Sequence, residues 1–437
     1  MRQEPVLVRV ILTSCLLSLS WMLAACTAPS TIQSESSIAS AGAELETTRP
    51  PDGPPQRGSA AGILPSSRPD APKRTPIGPS PSASAIFPSA LPASQAALDQ
   101  MVAHFIDVGQ GDAVLLEFSC AAVLVDTGGE SSDEVSGRDR LLDYLRDFFL
   151  RRADLANTLK LVVLSHPHKD HTNGVAALLE AQPEITIENV VDNGAMAKGS
   201  GISGQLKLQQ YANDTGAGYL GLTEAAITSV SGMTGPVIDP VDCRPGGGVD
   251  PKIAALWGRV DLNTTWANDA NNDSVVLRVD FGKASFLFTG DLEKEGIDAM
   301  LTSFEADNSA FDVDVIKVGH HGSHNATTEA LMAAVTPKIA IIQAGDSTLS
   351  RATFSAYSFA HPHQNAIRML LDTQSGVSME RPPKNVRVGV KGRNPTTGAA
   401  PEFTTIQLKR AIYTNGWDGN IAVTANKDGT LKVQTGF

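Results

Sequence analysis

Three histidines and one aspartate fall within six residues of the stretch Leu161–Gly174, LVVLSHPHKDHTNG. His166, His168, Asp170 and His171 form H-x-H-x-D-H, in which alternate positions put the first two imidazoles on one side and the turn at Asp170 brings the next pair round to face them. Imidazole and carboxylate together suit zinc, iron or manganese. Apolar Leu161–Leu164 reads as a core strand, and Gly174 ahead of VAALLEA reads as a turn into a helix. The cluster therefore sits on a strand-to-helix loop, where a rigid scaffold displays functional groups. A lone histidine is more often a solvated or core residue. Here eight of the nine fall at 166–171, 320–324 and 361–363, and only His104 stands apart.

Other acidic and histidine groups also follow strands. Val102–Ile106 and Ala113–Phe118 read as strands around the loop Asp107–Asp112, and Ala121–Val125 is a third, ending at Asp126-Thr127-Gly128-Gly129. Glycine in both turns permits close backbone approach. Arg138–Arg152 has helical apolar spacing at Leu141, Leu142, Leu145, Phe148 and Phe149. Ser274–Asp280 and Ala284–Thr289 form a hairpin pattern ending at Gly290-Asp291; Phe311–Val318 delivers Gly319-His320-His321, and Lys338–Gln343 is one more strand. The tail 411–433 reads as short strands with turns at Asp418-Gly419 and Asp428-Gly429. Residues 192 to about 270, rich in Gly and Asn, read as a loop-rich insertion near the site. Strands ending on the same side of a sheet would gather Asp126, the 166–171 group, Asp291 and His320-His321 into one crevice. A carboxylate such as Asp291 can bridge two metals about 3.5–4 Å apart, and such a pair supplies hydroxide near neutral pH and polarises the carbonyl or phosphoryl under attack.

At 437 residues and 42% apolar content the chain can bury a real core. A formal net charge of -12 gives no support to a basic nucleic-acid-coating surface. It leaves phosphodiester chemistry open, because metals neutralise a phosphate locally. Of four cysteines, Cys15 and Cys26 lie in or at the end of the N-terminal apolar run. Cys120 and Cys243 lie in the folded region, where a disulfide and two buried thiols are both open; neither has Cys-rich zinc spacing.

Arg2 and Arg9 flank a short polar start, followed by VILTSCLLSLSWMLAA and Cys26, the layout of a secretory signal. Leu23-Ala24-Ala25-Cys26 resembles the bacterial lipobox. On that resemblance residues 1–26 are a lipoprotein signal peptide, Cys26 carries the lipid, and the product is an exported membrane lipoprotein facing the periplasm or cell surface. Residues 27–97, rich in Pro, Ser and Ala, cannot offset ordering entropy and are expected to be a disordered tether. Apart from the signal no apolar run approaches about 20 residues, so no transmembrane domain is expected in the mature chain.

H-x-H-x-D-H resembles the signature of the metallo-β-lactamase superfamily. FIDVGQGDA, VDTGG, NNDSVVLRV, FLFTGD, IKVGHHGSHN and the tail DGNIAV resemble, in order, its ComEC-like branch, and bacterial phosphorylcholine esterases share much of the pattern. The resemblance implies an α/β fold, the four-layer αβ/βα sandwich with two mixed β-sheets, over residues 98–437. It also implies two divalent metal ions, zinc first, with manganese or iron as alternatives. His166 and His168 would hold one metal, Asp170 and His171 the other; Asp291 would bridge, and one of His320 and His321 would close the shell. Asp170 and His361 are the catalytic candidates, His361 contacting substrate or protonating the leaving group. Asn272 and Ser274 are candidates for positioning substrate or the loop, a plain polar turn being the other reading. Two departures stand out: no histidine occurs between Thr172 and Gly290, and Ala356–Ala360 replaces the Asn-x-Tyr-Gly that often precedes the late His-Pro.

The expectation is a metal-dependent hydrolase that uses a metal-bound hydroxide, a phosphodiesterase acting on nucleic acid or a cell-envelope phosphoester. The alternatives are an amide or lactam hydrolase and a binding lipoprotein with a vestigial metal site.

Overall fold

The computed structural model describes residues 97–194, 199–261, 265–304 and 307–437. The signal peptide, Cys26 and all but the last residue of the tether lie outside the described residues. Two mixed sheets form the frame. The first has eight strands in the order Leu431–Thr435, Ile421–Asn426, Gln100–Phe105, Val114–Glu117, Ala122–Val125, Leu161–Val163, Asn189–Asp192 and Gly218–Gly221. The second has six: Ile412–Thr414, Ile339–Ile342, Val315–Lys317, Ala284–Phe288, Val276–Phe281 and Lys252–Trp257. Each sheet is antiparallel on one side and parallel on the other.

Alternation along the strands explains the layers, since successive side chains point to opposite faces. Met101, Ala103, Phe105, Leu116, Val123, Val125, Leu161 and Val163 face the second sheet and share one core with Leu277, Val279, Phe286, Phe288 and Ile316. Their neighbours Leu115, Leu124 and Val162 face outward under a separate cluster built by Leu141, Leu145, Phe148, Val175, Leu178 and Leu208 from helices. Helices thus cover the outer face of a sheet whose inner face packs on the other sheet, the sandwich expected from the sequence. Among the described residues no helix is long and apolar enough to cross a membrane.

Helix Gly137–Arg151 follows its apolar spacing, with Leu141, Leu145, Phe148 and Phe149 buried and Ser136 capping Asp139 N. Three readings change. Residues 192–270 are more than a loop-rich insertion: they supply helix Ile202–Thr215 and the edge strands Gly218–Gly221 and Lys252–Trp257, one for each sheet. The helix buries only Gln205, Leu208 and Ala212, too few apolar positions to announce itself. The strand expected over Phe311–Val318 is confined to Val315–Lys317, after a helical turn at Asn308–Phe311. In the tail, Asn415–Asp418 is a helical turn rather than the approach to a hairpin.

Cys120 and Cys243 form a disulfide that joins chain positions 123 residues apart. His104, the isolated histidine, is a core residue: its ring nitrogens lie 3.0 Å from Glu117 Oε2 and 2.8 Å from the Tyr144 hydroxyl.

Candidate metal centre

The groups that meet at the site come from the ends of strands in both sheets, not from one sheet as expected. Asp126 follows strand Ala122–Val125 and the 166–171 group follows Leu161–Val163 in the first sheet; Asp291 follows Ala284–Phe288 and His321 follows Val315–Lys317 in the second. Parallel strands that end side by side present their loops to a common crevice. The close approach depends on glycine: a Cβ at Gly128 would lie 1.4 Å from the carbonyl oxygen of Asp170.

Asp170, His171, Asp291 and His321 are all buried, and each offers a ligand atom within 4.8 Å of the others. His321 Nε2 lies 3.0 Å from Asp170 Oδ2 and 3.3 Å from Asp291 Oδ2, and His171 Nε2 lies 3.1 Å from Asp291 Oδ2. Of His320 and His321, the structure brings His321 into this group of four. Both adopt left-handed backbone, with φ of 47° and 54°. That conformation is strained for a side chain bearing a Cβ and is found where function over-determines geometry. The turn sends His321 into the cluster; His320 Nδ1 instead lies 3.0 Å from Glu293, with its Nε2 3.9 Å from Asp291. His166 and His168 lie beside this group of four and not within it. Their rings are 3.0 Å apart at Nε2 and Nδ1, and the His166 ring centroid is 4.2 Å from that of His171.

A second layer holds the histidines. Asp126 accepts hydrogen bonds from Ser165 N and Oγ and lies 2.9 Å from His171 Nδ1. Asp112 lies 3.2 Å from His321 Nδ1, and the Gln343 carbonyl lies 2.8 Å from the same nitrogen. Such partners fix the tautomer and ring orientation of a ligating histidine. Lys317, buried in the strand before the His320-His321 turn, pairs with Asp112 and donates to the Gly290 carbonyl at 2.9 Å. Sequence reasoning missed Asp112 and Lys317 as site residues. Asp112 was visible as the last residue of a glycine turn, whereas Lys317 was masked by its place in an apolar strand.

The electrostatics favour cations. Burial opposes charge on Asp291 and Asp170, but the surrounding histidines outweigh it and hold both carboxyls well below the usual range. Burial likewise opposes charge on His171, yet Asp291, Asp126, Asp112 and Asp170 pull it well above the usual histidine range. His171 Nε2 and Asp291 Oδ1 are buried without a hydrogen bond of acceptable geometry, although His171 Nε2 closely approaches Asp291 Oδ2. Converging nitrogen and carboxylate ligand atoms, two of them buried without a hydrogen bond, fit a divalent cation.

Asn272 and Ser274, read from the sequence as positioning substrate or the loop, lie buried against the loops that carry the cluster. Asn272 is 1% exposed, and its Oδ1 accepts from Glu293 N and Gly296 N at the start of helix Lys294–Ser303 while its Nδ2 donates to the Trp266 carbonyl. Ser274 Oγ accepts from Asp291 N at 3.0 Å and lies 3.5 Å from His166 Nδ1. Both support ligand-bearing loops from beneath. Asn271, the neighbour passed over, lines the cavity above the cluster.

That cavity holds about 190 Å³ and is lined by Asp170, Asp291, His168, His320, His321 and His361, with Gln110, Phe354 and Phe359 at its wall. His361 lies 3.1 Å from Gln110 Nε2 through its Nδ1, and burial together with His320 and His321 holds it well below the usual histidine range. Burial and the neighbouring histidines thus favour the neutral ring of His361. A larger groove of about 670 Å³ runs along helix Gly137–Arg151 and contains none of the histidines.

Fold and site together are those of a metal-binding hydrolase scaffold, and residues 106–346, more than half of the chain, match the sequence profile of the Metallo-beta-lactamase superfamily. The chain belongs to that superfamily, whose members are generally hydrolases that bind divalent metals. It is homologous to ComE operon protein 3 of Bacillus subtilis (strain 168), 25% identical over 318 residues, 69% of this chain and 35% of that protein. Recombination protein 2 of Haemophilus influenzae is 26% identical over 241 residues, 55% of this chain and 24% of the relative. The chain thus spans about a third or less of the length of these relatives. Among solved structures, the metallo-beta-lactamase fold protein YhfI from Bacillus subtilis aligns over 55% of this chain and 84% of its own, at 14% identity and a TM-score of 0.34.

Proposed function

We propose that the chain is a metal-dependent phosphodiesterase held at a bacterial membrane by a lipid on Cys26. The observation that carries the hydrolase reading is the buried group Asp170, His171, Asp291 and His321, opening into the cavity beneath His361. Asp170, His171, Asp291 and His321, with His166 and His168 beside them, would hold two divalent cations; zinc suits this imidazole and carboxylate set, and manganese and iron share it. The metals would supply Lewis acidity and a water of lowered pKa. The protein's own part is to keep Asp170 and Asp291 ionised, to fix His171 and His321 through Asp126 and Asp112, and to place a neutral His361 where its ring donates to a substrate oxygen. A neutral ring favours the contact role of His361 over protonation of the leaving group.

The experiment is a hydrolysis screen of the metal-loaded chain with bis(p-nitrophenyl) phosphate, p-nitrophenyl phosphate and a lactam. Diester hydrolysis abolished by a chelator is the expected result; hydrolysis of the lactam alone would replace this reading with the amide one. The Cys120–Cys243 disulfide supports export, because such bonds persist in oxidising compartments. Cys26→Ala should move the protein from the membrane to soluble or uncleaved fractions, and unchanged membrane extraction would remove the anchor.

A further inference from the structure

Gln110 breaks a rule of protein interiors. It is 1% exposed, yet only one end of its amide is matched: Nε2 lies 3.1 Å from His361 Nδ1, while Oε1 is buried without a hydrogen-bond partner. A buried acceptor left unsatisfied costs stability, so a residue needed only to fill this space would be apolar. Proteins break such rules chiefly at functional sites. Gln110 and His361, 251 positions apart in the chain, both line the metal-centre cavity.

The backbone of Gln110 is held firmly. Gly109 and Gly111 on either side have φ of 74° and 150°, which glycine adopts without strain. The Gln110 N–H donates to Glu130 Oε2 at 3.3 Å, and Glu130 Oε1 accepts from Ser132 Oγ at 2.9 Å. Glu130 is itself buried, and its carbonyl accepts from Gly137 N at the start of helix Gly137–Arg151. The turn also abuts a loop of the second sheet, since a Cβ at Gly345 would lie 2.9 Å from the Gly109 carbonyl carbon. The Gln110 side chain therefore projects from a fixed base. His361 is held from another direction by Phe359, whose ring stacks on it with centroids 5.6 Å apart and planes at 28°. Stacking alone tolerates the ring flip that exchanges the nitrogens of an imidazole with its carbons. A hydrogen bond at Nδ1 does not.

Resting on the phosphodiesterase reading, in which His361 contacts substrate, we propose that Gln110 is a positioning residue for His361: its amide, anchored through Glu130, fixes which edge of the imidazole faces the cavity. The bond joins a turn of the first sheet to the loop that follows the second, so the contact to substrate is set by how the two sheets meet. The unmatched Oε1 is then the stability cost of placing an amide where only the His361 bond makes use of it. A purely structural glutamine would show the opposite balance, with stability lost and substrate contact kept on its removal.

The test is a double-mutant cycle on the full, metal-loaded chain, with Gln110→Met, His361→Ala and the two combined. Affinity for inorganic phosphate is read by calorimetry, beside metal content and melting temperature. Methionine keeps the length of glutamine and removes the amide. Gln110→Met should bind phosphate about tenfold more weakly, the usual scale for one hydrogen bond, with metal content unchanged and the melting temperature equal to or above that of the wild type. In the His361→Ala background Gln110→Met should weaken binding no further, because residues that act through one another are not additive. Wild-type affinity in Gln110→Met, the same loss with and without His361, or a lowered melting temperature accompanied by loss of metal would overturn the proposal, as would a wild type that binds no phosphate. The hydrolase reading is scored separately, on bis(p-nitrophenyl) phosphate. Diester turnover with an additive cycle defeats the role of Gln110 alone, and a non-additive cycle without diester turnover sustains that role and defeats the hydrolase reading alone.

Discussion

Lys317 Nζ lies 3.6 Å from Asp291 Oδ1, while Oδ2 of the same carboxylate faces His171 and His321 at 3.1 and 3.3 Å. One buried carboxylate is therefore divided between an internal ammonium and the ligand cluster. Burial opposes the charge on Lys317, but Asp112 and Asp291 outweigh it and keep it protonated.

Lys317→Met should leave two buried carboxylates short of a counter-charge. Breaking a buried pair by removing one partner typically costs about 3–5 kcal/mol. The metal-free variant should melt far below the metal-free wild type. Added divalent metal, which restores positive charge at the same carboxylates, should raise its melting temperature by more than it raises that of the wild type. Equal melting curves with and without metal would show that Lys317 is indifferent to the centre.

Asn272→Ala should cost stability and not catalysis. Its side chain serves two amides at a helix start and one carbonyl, and loss of a cap of this kind costs about 1–2 kcal/mol. Thermal melts should fall while metal content and KM stay near wild type. A raised KM with unchanged stability would return Asn272 to the substrate role suggested by its sequence position.

The contrast between Asn272 and the H-x-H-x-D-H loop shows what was legible. Histidines clustered at short spacing have few explanations besides metal, and short apolar runs mark core strands, whereas the two-sheet sandwich was legible only through the family resemblance. A polar residue before a hairpin, by contrast, looks the same in sequence whether it points up into a cavity or down into a helix cap. The choice of His321 over His320 depends on two left-handed residues in succession, which nothing in Gly-His-His-Gly announces. Lys317 was hidden because its partners, Asp112 and Asp291, are far away in the chain and reach it only through the meeting of the two sheets.

The Glu117 network predicts an acid limb. Burial opposes ionisation of Glu117, but hydrogen bonds from His104 and Arg152 outweigh it and hold its carboxyl at about 2, against an ordinary value of 4.5. A depressed carboxylate contributes stability that is present above the unfolded value and lost as pH falls from about 4.5 towards 2. The difference corresponds to roughly 3 kcal/mol. Glu117→Gln should lower stability by about that amount at neutral pH and flatten the loss in this window, as read by urea unfolding across pH. An unchanged slope between pH 4.5 and 2 would contradict the network's role.

The central claim, a cluster built to hold two divalent cations for hydrolysis, is tested most directly by metal stoichiometry measured alongside diester turnover in wild type and Asp291→Asn. An amide in place of the carboxylate that His171 and His321 share loses a charge and a strong ligand. Wild type should carry two ions per chain, and Asp291→Asn should carry one or none, remain folded and lose turnover by orders of magnitude. Two ions and a near-normal rate in Asp291→Asn would contradict the account.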